Sequence, residues 1–458
     1  MTSNKSPYQP NMIKIVDTKT ENPFAALSKR TIHRDEETER IVKAIIDDVR
    51  RRGDEALLDN ARKFDAPSLE RLLVTNEEFA SAEGSLSDSE RRALHTAAQR
   101  IEAFHQAQFT CMVGNCVAPM GSELQNPHGA RFWYAASFQG GALGQRIVPL
   151  GSAGVYVPGG NANYPSSVLM NAIPAVVAGI DRLVITTPSR KDGTLSPSVL
   201  YAAQLLKQRP TVVKIGGAAA IAALALGTES VPRVDKIVGP GNRFVNEAKR
   251  QLWGAVGLDG YAGPSEVCVL ADKTANAKCA AIDFLTQIEH APDNSGFLVC
   301  TDEAKFREIL SEIDTLVTGE RREETVRQAM AGDSIAFLAK DLEEACDIVN
   351  AIAPEHLSIA CRDFERALHK VQNAGCILLG EWSPESAGDF VAGPSHTLPT
   401  SGAARFQSPV NVLDFLKVQS VIRLSREELK SLAPNIEAFG TMEGFPLHGR
   451  GATIRFEE

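Results

Sequence analysis

Residues suited to metal and proton chemistry stand at separate places along the 458-residue chain. Gln287 and His290 are three residues apart in an apolar stretch with the spacing of a buried helix, so their side chains share one helix face. An amide oxygen and an imidazole on one face can be two ligands of a divalent metal. Such a pair is also typical of side chains that meet solvent or cap a neighbour, and the spacing alone leaves both interpretations open.

A carboxylic acid and a histidine adjoin each other at Glu355 and His356, in a turn between a predicted helix and a predicted strand. Histidine titrates near neutral pH, and a neighbouring carboxylate increases its basicity. The two residues therefore indicate a general acid–base pair. The alternative is a polar loop that merely leads into the strand.

Three further polar residues follow the predicted strands or lie in the tail. Asp389 comes directly after a glycine, where a carboxylate can bind a metal or simply form a turn. Glu443 and His448 lie in a tail rich in proline and glycine, where a histidine is usually exposed. None of these three residues identifies a site by itself.

Three glycine-rich turns precede predicted helices, at 158–160, 216–217 and 239–242. Each could present the free N–H groups of a helix N-terminus to a phosphate, although tight turns of this kind are common without a ligand. None of the three is the Gly-x-Gly-x-x-Gly fingerprint or a P-loop. Three such turns on one sheet are compatible with a bound nucleotide without requiring one, and an open parallel sheet binds ligands outside the carboxyl ends of its strands.

The elements that must position these residues alternate between strand and helix. Residues 146–264 and 265–407 each repeat strand–turn–helix units, which predicts an α/β protein with two open, mainly parallel sheets. Residues 35–145 read as amphipathic helices packing on the larger α/β domain, and residues 1–34 as a loosely ordered arm. Residues 408–458 form a C-terminal arm that holds a helix and ends in a predicted edge strand at 451–456.

Composition and charge exclude several classes of protein. The net charge of −9 and the scattered basic residues argue against nucleic-acid binding. The longest apolar run, 218–226, is too short to cross a membrane, and residues 1–24 contain no apolar core of an export signal. Most of the eight cysteines stand in apolar runs, as expected for core residues in a reducing compartment. These features predict a cytoplasmic protein.

From about residue 35 to 456 the chain resembles the histidinol dehydrogenase family. The segments that carry the resemblance are 155–160, 164–170, 239–242, 247–250, 262–267, 287–290, 353–357 and 383–389. The resemblance implies a cytoplasmic enzyme with two incomplete Rossmann-like domains, 146–264 for the nucleotide and 265–407 for the metal and acid–base residues. It also implies a homodimer with shared active sites, in which the arm 408–458 crosses to the partner subunit.

The activity that the resemblance implies is the oxidation of L-histidinol to L-histidine through L-histidinal, in two NAD-dependent steps. The implied Zn²⁺ ligands are Gln287, His290, Asp389 and His448, and the implied acid–base pair is Glu355 and His356. The implied substrate-binding residues are Ser265, Gln287, His290, His356, Asp389, Glu443 and His448, and those facing NAD are Tyr156 and Asn242. One position departs from the family pattern: Ala219 stands where the family usually has a glutamine that contacts the dinucleotide.

Three rival functions remain to be weighed against this one. A relative could use the same zinc and NAD on another small diol or amino alcohol, but Glu443 suits the ammonium group of histidinol. A zinc hydrolase would need no nucleotide. A binding protein without catalysis is disfavoured because Glu355 and His356 are both present.

Overall fold

The computed structural model of the chain describes residues 13–27, 35–113, 131–136, 140–159, 163–260 and 263–457. The strands are β1 (Lys14–Asp17), β2 (Arg131–Ala136), β3 (Ala142–Pro149), β4 (Ser152–Tyr156), β5 (Arg182–Thr187), β6 (Thr211–Lys214), β7 (Lys236–Val238), β8 (Gly257–Leu258), β9 (Glu266–Ala271), β10 (Ser295–Cys300), β11 (Ile335–Leu338), β12 (His356–Ile359), β13 (Cys376–Leu379) and β14 (Leu416–Arg423). The helices are α1 (Pro23–Leu27), α2 (Glu36–Arg52), α3 (Asp54–Phe64), α4 (Asn76–Ala82), α5 (Asp88–Val113), α6 (Pro165–Ala178), α7 (Pro197–Gln204), α8 (Gly217–Leu226), α9 (Arg243–Leu252), α10 (Ala277–Ile288), α11 (Glu303–Val317), α12 (Glu323–Ala331), α13 (Leu342–Ile352), α14 (Phe364–Leu368), α15 (Glu385–Phe390), α16 (Arg426–Met442) and α17 (Pro446–Thr453). Short 3₁₀ turns lie at Glu83–Ser85, Ala403–Arg405, Val412–Phe415 and Ile454–Phe456.

A six-stranded parallel sheet, in the order β1-β11-β10-β9-β12-β13, carries the residues predicted for metal and acid–base chemistry. Every residue of β9 and β10 is buried, because helices cover both faces of the sheet. Val267 and Val269 pack in the core on the side of α10 and α11. Cys268 and Leu270 alternate with them and pack on the side of α13. The continuous apolar run is therefore explained by burial on two faces.

A five-stranded parallel sheet, in the order β6-β5-β4-β7-β8, carries the residues predicted for the nucleotide. The alanine-rich helix α8 is buried along almost all of its length and packs against α2, α3 and α9. Small side chains allow this close approach of several helices around one. The amphipathic helices α2 and α3 thus pack on the helices of this sheet.

The described residues divide into two compact units. Those within 1–106 and 151–414 form the first unit, which holds both parallel sheets. Those within 107–150 and 415–458 form the second, built around the antiparallel sheet β14-β3-β2 and the hairpin of α16 and α17. The two parallel α/β sheets confirm the predicted fold class, whereas the predicted domain limits stay predictions.

Two local predictions were wrong. The N-terminal segment was expected to be a loose arm, but β1 pairs in parallel with β11 as the edge strand of the six-stranded sheet, and α1 follows it. Residues 1–12 and 28–34 of that arm lie outside the described residues. Residues 451–456 were expected to form a strand, but they continue α17 and a 3₁₀ turn. That helix is held against α16 by a close contact between Gly440 and Gly449.

The surface and the cysteines agree with the rest of the fold. None of the helices in the described part of the chain combines the length and the apolar character needed to cross a membrane. Four of the described cysteines, at 268, 300, 346 and 361, are buried, and the described cysteines are free thiols. Cys116 lies outside the described residues.

Candidate active site

The acid–base pair and three of the four predicted metal ligands, Gln287, His290 and Asp389, lie near the amino ends of strands of the six-stranded sheet. His356 is the first residue of β12, and it stands beside Val267 at the start of β9 and Cys376 at the start of β13. The C-terminus of α10 reaches the same edge, because the chain then turns directly into β10. This site therefore lies at the opposite edge from the one that open parallel sheets usually use.

The backbone before β12 turns sharply to bring the acid–base pair into this edge. Helix α13 ends at Ala353, which has a left-handed conformation with φ +48°, and a proline follows. A carboxylate oxygen of Glu355, Oε2, then accepts a hydrogen bond from the backbone N–H of Glu266 at 2.9 Å. Glu355 is 7% exposed and His356 3% exposed. Both side chains are thus oriented by buried neighbours rather than by solvent.

Three carboxylates surround the imidazole of His356. Its Nδ1 lies 3.3 Å from Oε1 of Glu385 and 3.9 Å from Oε2 of Glu355. Its Nε2 lies 3.4 Å from Oδ1 of Asp389. The Nδ1 edge of the ring therefore meets two buried carboxyl groups, and Nε2 meets a predicted metal ligand.

The electrostatics of this cluster follow from burial opposed by charge. Burial raises the pKa of Glu355 to about 8 and that of Glu385 to about 7, although His356 acts in the opposite direction on both. Burial alone would lower the pKa of His356, but Glu385, Asp389 and Glu355 outweigh it and raise the pKa. Burial would raise the pKa of Asp389, but the hydrogen bond and charge of His356 lower it. Carboxyl groups whose pKa is raised to near neutral pH, such as Glu355 and Glu385, are suited to acid–base catalysis.

The predicted metal ligands of the first unit lie beside this cluster. The side-chain amide of Gln287 donates a hydrogen bond from Nε2 to Oδ2 of Asp389 at 2.7 Å. The backbone carbonyl of Gln287 is held by the N–H of His290 at 3.3 Å and by Nδ2 of Asn294 at 2.7 Å. His290 lies near enough to contribute to lowering the pKa of Asp389. The structure thus brings Gln287 and Asp389 into direct contact, with His290 at the end of the same helix.

The chemistry of these donors fits a borderline cation such as Zn²⁺. An amide oxygen, an imidazole and a carboxylate are mixed nitrogen and oxygen donors, in contrast to the thiolates of a structural site. Within the first unit they are Gln287, His290 and Asp389, and only two of these are His, Cys, Asp or Glu. Consistent with that, no group of three or more such side chains among the described residues could hold a metal ion.

The other predicted substrate residues lie in two places. Ser265 immediately precedes β9 at the same edge, where its N–H donates to Oδ1 of Asn294 at 3.2 Å. Glu443 and His448 belong to the second unit. Glu443 ends helix α16, and the ring of His448 packs on Phe445 with the ring centroids 5.4 Å apart.

Several polar residues of this edge were not singled out from the sequence. Glu385 is fully buried beside His356, and the carboxylate of Asp283 accepts from the backbone N–H of Glu385 at 3.3 Å. His396 contacts the hydroxyl of Ser167 through Nε2 at 3.1 Å and the backbone carbonyl of Asp389 through Nδ1 at 2.9 Å. A usable signal existed for Glu385, which stands four residues before Asp389 in one segment.

The residues predicted to face a dinucleotide lie at the carboxyl edge of the five-stranded sheet. Tyr156 ends β4, and its hydroxyl accepts from the N–H of Gly217 at 3.3 Å. Burial raises the pKa of this hydroxyl to about 12. Asn242 caps α9, since its Oδ1 accepts from the N–H groups of Phe244 and Val245 at 3.0 and 3.2 Å. At two of the three glycine-rich turns, backbone N–H groups that could bind a phosphate therefore donate to side chains of the protein.

Two further features of this edge bear on the sequence predictions. Ala219, at the position where the resemblance implies a glutamine, is 2% exposed in the first turn of α8 and packs in one core with Tyr156. Gly160, part of the third glycine-rich turn, lies outside the described residues. The carboxyl of Asp65 adjoins the turn at Gly216; burial raises its pKa to about 6, against a hydrogen bond from the backbone of Gly216.

Comparison with known proteins identifies the family of the chain. The family model for histidinol dehydrogenase matches residues 28–456. The histidinol dehydrogenase of Bacillus subtilis is 42% identical over 420 residues, covering 92% of this chain and 93% of that protein. That of Geobacter sulfurreducens is 40% identical, covering 97% and 99%. The crystal structure of histidinol dehydrogenase from Elizabethkingia anophelis superimposes with a TM-score of 0.88 at 31% identity, covering 98% of this chain and 99% of that one. The chain therefore belongs to the histidinol dehydrogenase family.

Proposed function

We propose that this protein oxidises L-histidinol to L-histidine in two NAD-dependent steps, with L-histidinal between them. In the first step the alcohol loses a proton and a hydride, which gives the aldehyde, NADH and a proton. In the second step water adds to the aldehyde, and the hydrate loses a proton and a hydride, which gives L-histidine, a second NADH and a proton. The observation that best supports the proposal is the buried imidazole of His356, which lies among three carboxyl groups, one of them the predicted metal ligand Asp389.

The roles of the side chains follow from their surroundings. We assign His356 in its neutral form to accept the proton of the alcohol, because Nε2 is the ring nitrogen on the side of Asp389 and the other predicted metal ligands, and the raised pKa makes the imidazole a stronger base. The carboxylates of Glu385 and Asp389 stabilise the imidazolium that results, since they lie 3.3 Å from Nδ1 and 3.4 Å from Nε2. Glu355 then serves the hydration step, because its raised pKa lets it exchange a proton near neutral pH.

Binding of the substrate is assigned to the same edge. A bound Zn²⁺ would orient the imidazole and amine of histidinol as a Lewis acid, held by Gln287, His290, Asp389 and His448. Within this set, the contact between Gln287 and Asp389 is the supporting observation. Ser265 and Glu443 are the further substrate contacts, and a carboxylate at 443 suits the ammonium group of the substrate. Tyr156 and Asn242 are assigned to NAD.

The test is the absorbance of NADH at 340 nm in a mixture of the protein, NAD and L-histidinol. Two molecules of NADH should form for each histidinol, and a chelator should remove the activity. His356→Ala should lower turnover of the alcohol by about 10²–10⁴-fold, as expected for a removed general base. No NADH formation from histidinol, with formation from another small amino alcohol, would favour the rival relative.

We further infer a cytoplasmic homodimer with His448 supplied by a second copy. The inactive variants His356→Ala and His448→Ala should then regain activity when they are unfolded and refolded together. A mixed dimer collects both lesions in one site and leaves the other site intact, so it should reach at most half of the wild-type activity. A mixture that contains mixed dimers and stays inactive would contradict a shared site.

A further inference from the structure

The turn 239–242, which follows β7, contains Asn242 and packs against Tyr156, the two residues assigned to NAD. Gly239 opens this turn with φ +119°, a conformation that favours glycine. A Cβ atom at Gly239 would collide with the backbone carbonyl of Tyr156. Three residues later Asn242 closes the turn as the cap of α9. The path of this short segment therefore sets the position of Asn242 relative to Tyr156.

A buried ion pair grips the start of this turn. Lys249, from α9, is 1% exposed and donates to the carbonyl of Gly239 at 2.6 Å and to Oδ1 of Asp259 at 2.7 Å. The other carboxylate oxygen of Asp259, Oδ2, accepts from the N–H of Gly239 at 2.7 Å. Both polar backbone groups of Gly239 are thus bound by the two members of one ion pair.

The far end of the turn is held by α9 itself. Asn246 donates from Nδ2 to the carbonyl of Gly241 at 2.9 Å, and Asn242 caps the helix. Because Lys249 also belongs to α9, one helix holds the turn at both ends. Asp259, which follows β8, ties this assembly to the edge of the five-stranded sheet.

Stability alone is a poor reason for such a pair. Taking a lysine and an aspartate out of water costs several kcal/mol per ion, and well-packed apolar residues often replace a buried pair without loss of stability. The hydrogen bonds to Gly239, in contrast, need a long side-chain donor at position 249 and a side-chain acceptor at position 259. The pair is therefore better explained by what it holds than by the free energy that it contributes.

We infer that Lys249 and Asp259 are positioning residues for the dinucleotide, acting by fixing the turn 239–242 against Tyr156. This inference rests on the proposed function, because it concerns the NAD half of that site. Neither side chain needs to touch NAD. Loss of the pair should weaken NAD binding and leave the metal and acid–base residues of the six-stranded sheet in place.

The experiment compares Lys249→Met with Lys236→Met in the metal-loaded, full-length protein. Lys236 is the first residue of β7, at the end of the strand away from the turn 239–242. It forms an ion pair with Asp414 at 2.7 Å, and both side chains are largely buried. For Lys249→Met we expect the KM and Kd for NAD to rise by at least about tenfold, because small misplacements of binding groups are costly. The KM for histidinol and kcat at saturating NAD should stay within about threefold. Lys236→Met should leave all four values near those of the wild type.

A second variant keeps the test decisive if Lys249→Met does not fold. Asp259→Asn retains a side-chain oxygen that can accept from Gly239 and removes only the charge, so we expect a smaller rise in KM for NAD. Unchanged NAD affinity in the folded variants, or an equal rise for Lys236→Met, would overturn the inference alone. A wild-type protein that binds no NAD would overturn the proposed function and this inference with it.

Discussion

Glu355→Gln should make the protein more stable at high pH than the wild type, and progressively less so as the pH falls. Glu355 is buried, and burial raises its pKa from about 4.5 to about 8. A raised pKa means that the fold favours the protonated acid. The stability gained from this preference is complete below the unfolded pKa and is lost as the pH rises through the folded pKa. Glutamine keeps the shape, stays neutral throughout and can accept the hydrogen bond from Glu266.

The magnitude follows from the two pKa values. One pKa unit corresponds to about 1.4 kcal/mol, so the difference in unfolding free energy should grow by about 1.4 kcal/mol per pH unit between about pH 5 and pH 8. The total change over this range is then about 3–4 kcal/mol in favour of the variant. Titrating groups away from this cluster largely cancel, because they are present in both proteins with the same surroundings.

The assay is urea unfolding of both proteins at several pH values, after treatment with a chelator so that no metal charge contributes. Glu385→Gln is the matched control, since burial raises the pKa of Glu385 only to about 7. Its gain should level off about one pH unit earlier. A constant difference between wild type and Glu355→Gln, or one that favours the wild type at pH 8, would show that Glu355 is ionised in the fold at neutral pH and would refute the reasoning.

Three further changes probe other parts of the molecule. His290→Ala should fold but retain far less zinc in metal analysis after dialysis, because it removes one of the predicted ligands; full zinc retention would refute its role. Ala219→Gln should tighten NAD binding by about 0.5–1.5 kcal/mol, the value of one neutral hydrogen bond, in a binding titration; weaker binding would mean that the buried surroundings of Ala219 leave no room for the amide. Asp65→Asn should gain stability over the wild type between about pH 4 and pH 6, because the pKa of Asp65 is raised to about 6; partial exposure limits the gain to under about 2 kcal/mol, and a pH-independent difference in urea midpoints would contradict it.

The sequence was most informative where local physics decides the structure. The run from Val267 to Leu270 is apolar without interruption, and β9 is accordingly buried on both faces. The alanine-rich stretch after Gly216 became the buried helix α8. The four-residue strand β1 escaped prediction because its short segment, Lys14–Asp17, acquires strand structure only by pairing with β11.

The edge of the sheet that holds the candidate site could not be predicted in this way. Which strands neighbour β12 depends on the order β9-β12-β13, and that order joins segments far apart in the chain. The burial of Glu385 could not be predicted either, because a segment of serine, proline and glutamate is usually a solvated turn. The contact between Gln287 and Asp389, 102 residues apart, was predicted only through the family resemblance.

The contact between Gly440 and Gly449 couples the positions of Glu443 and His448. Any Cβ at Gly440 would come within 2.7 Å of the backbone nitrogen of Gly449, so the two helices of the hairpin touch backbone to backbone. The link between them is short, and the N–H of Phe445 closes it by donating to the carbonyl of Gly440 at 2.7 Å. Glu443 and His448 are therefore held in a fixed position relative to each other. A substitution at Gly440 that separates the two helices should therefore displace both side chains. Its effect on the proposed activity should resemble that of replacing Glu443 and His448 together, although neither residue is changed.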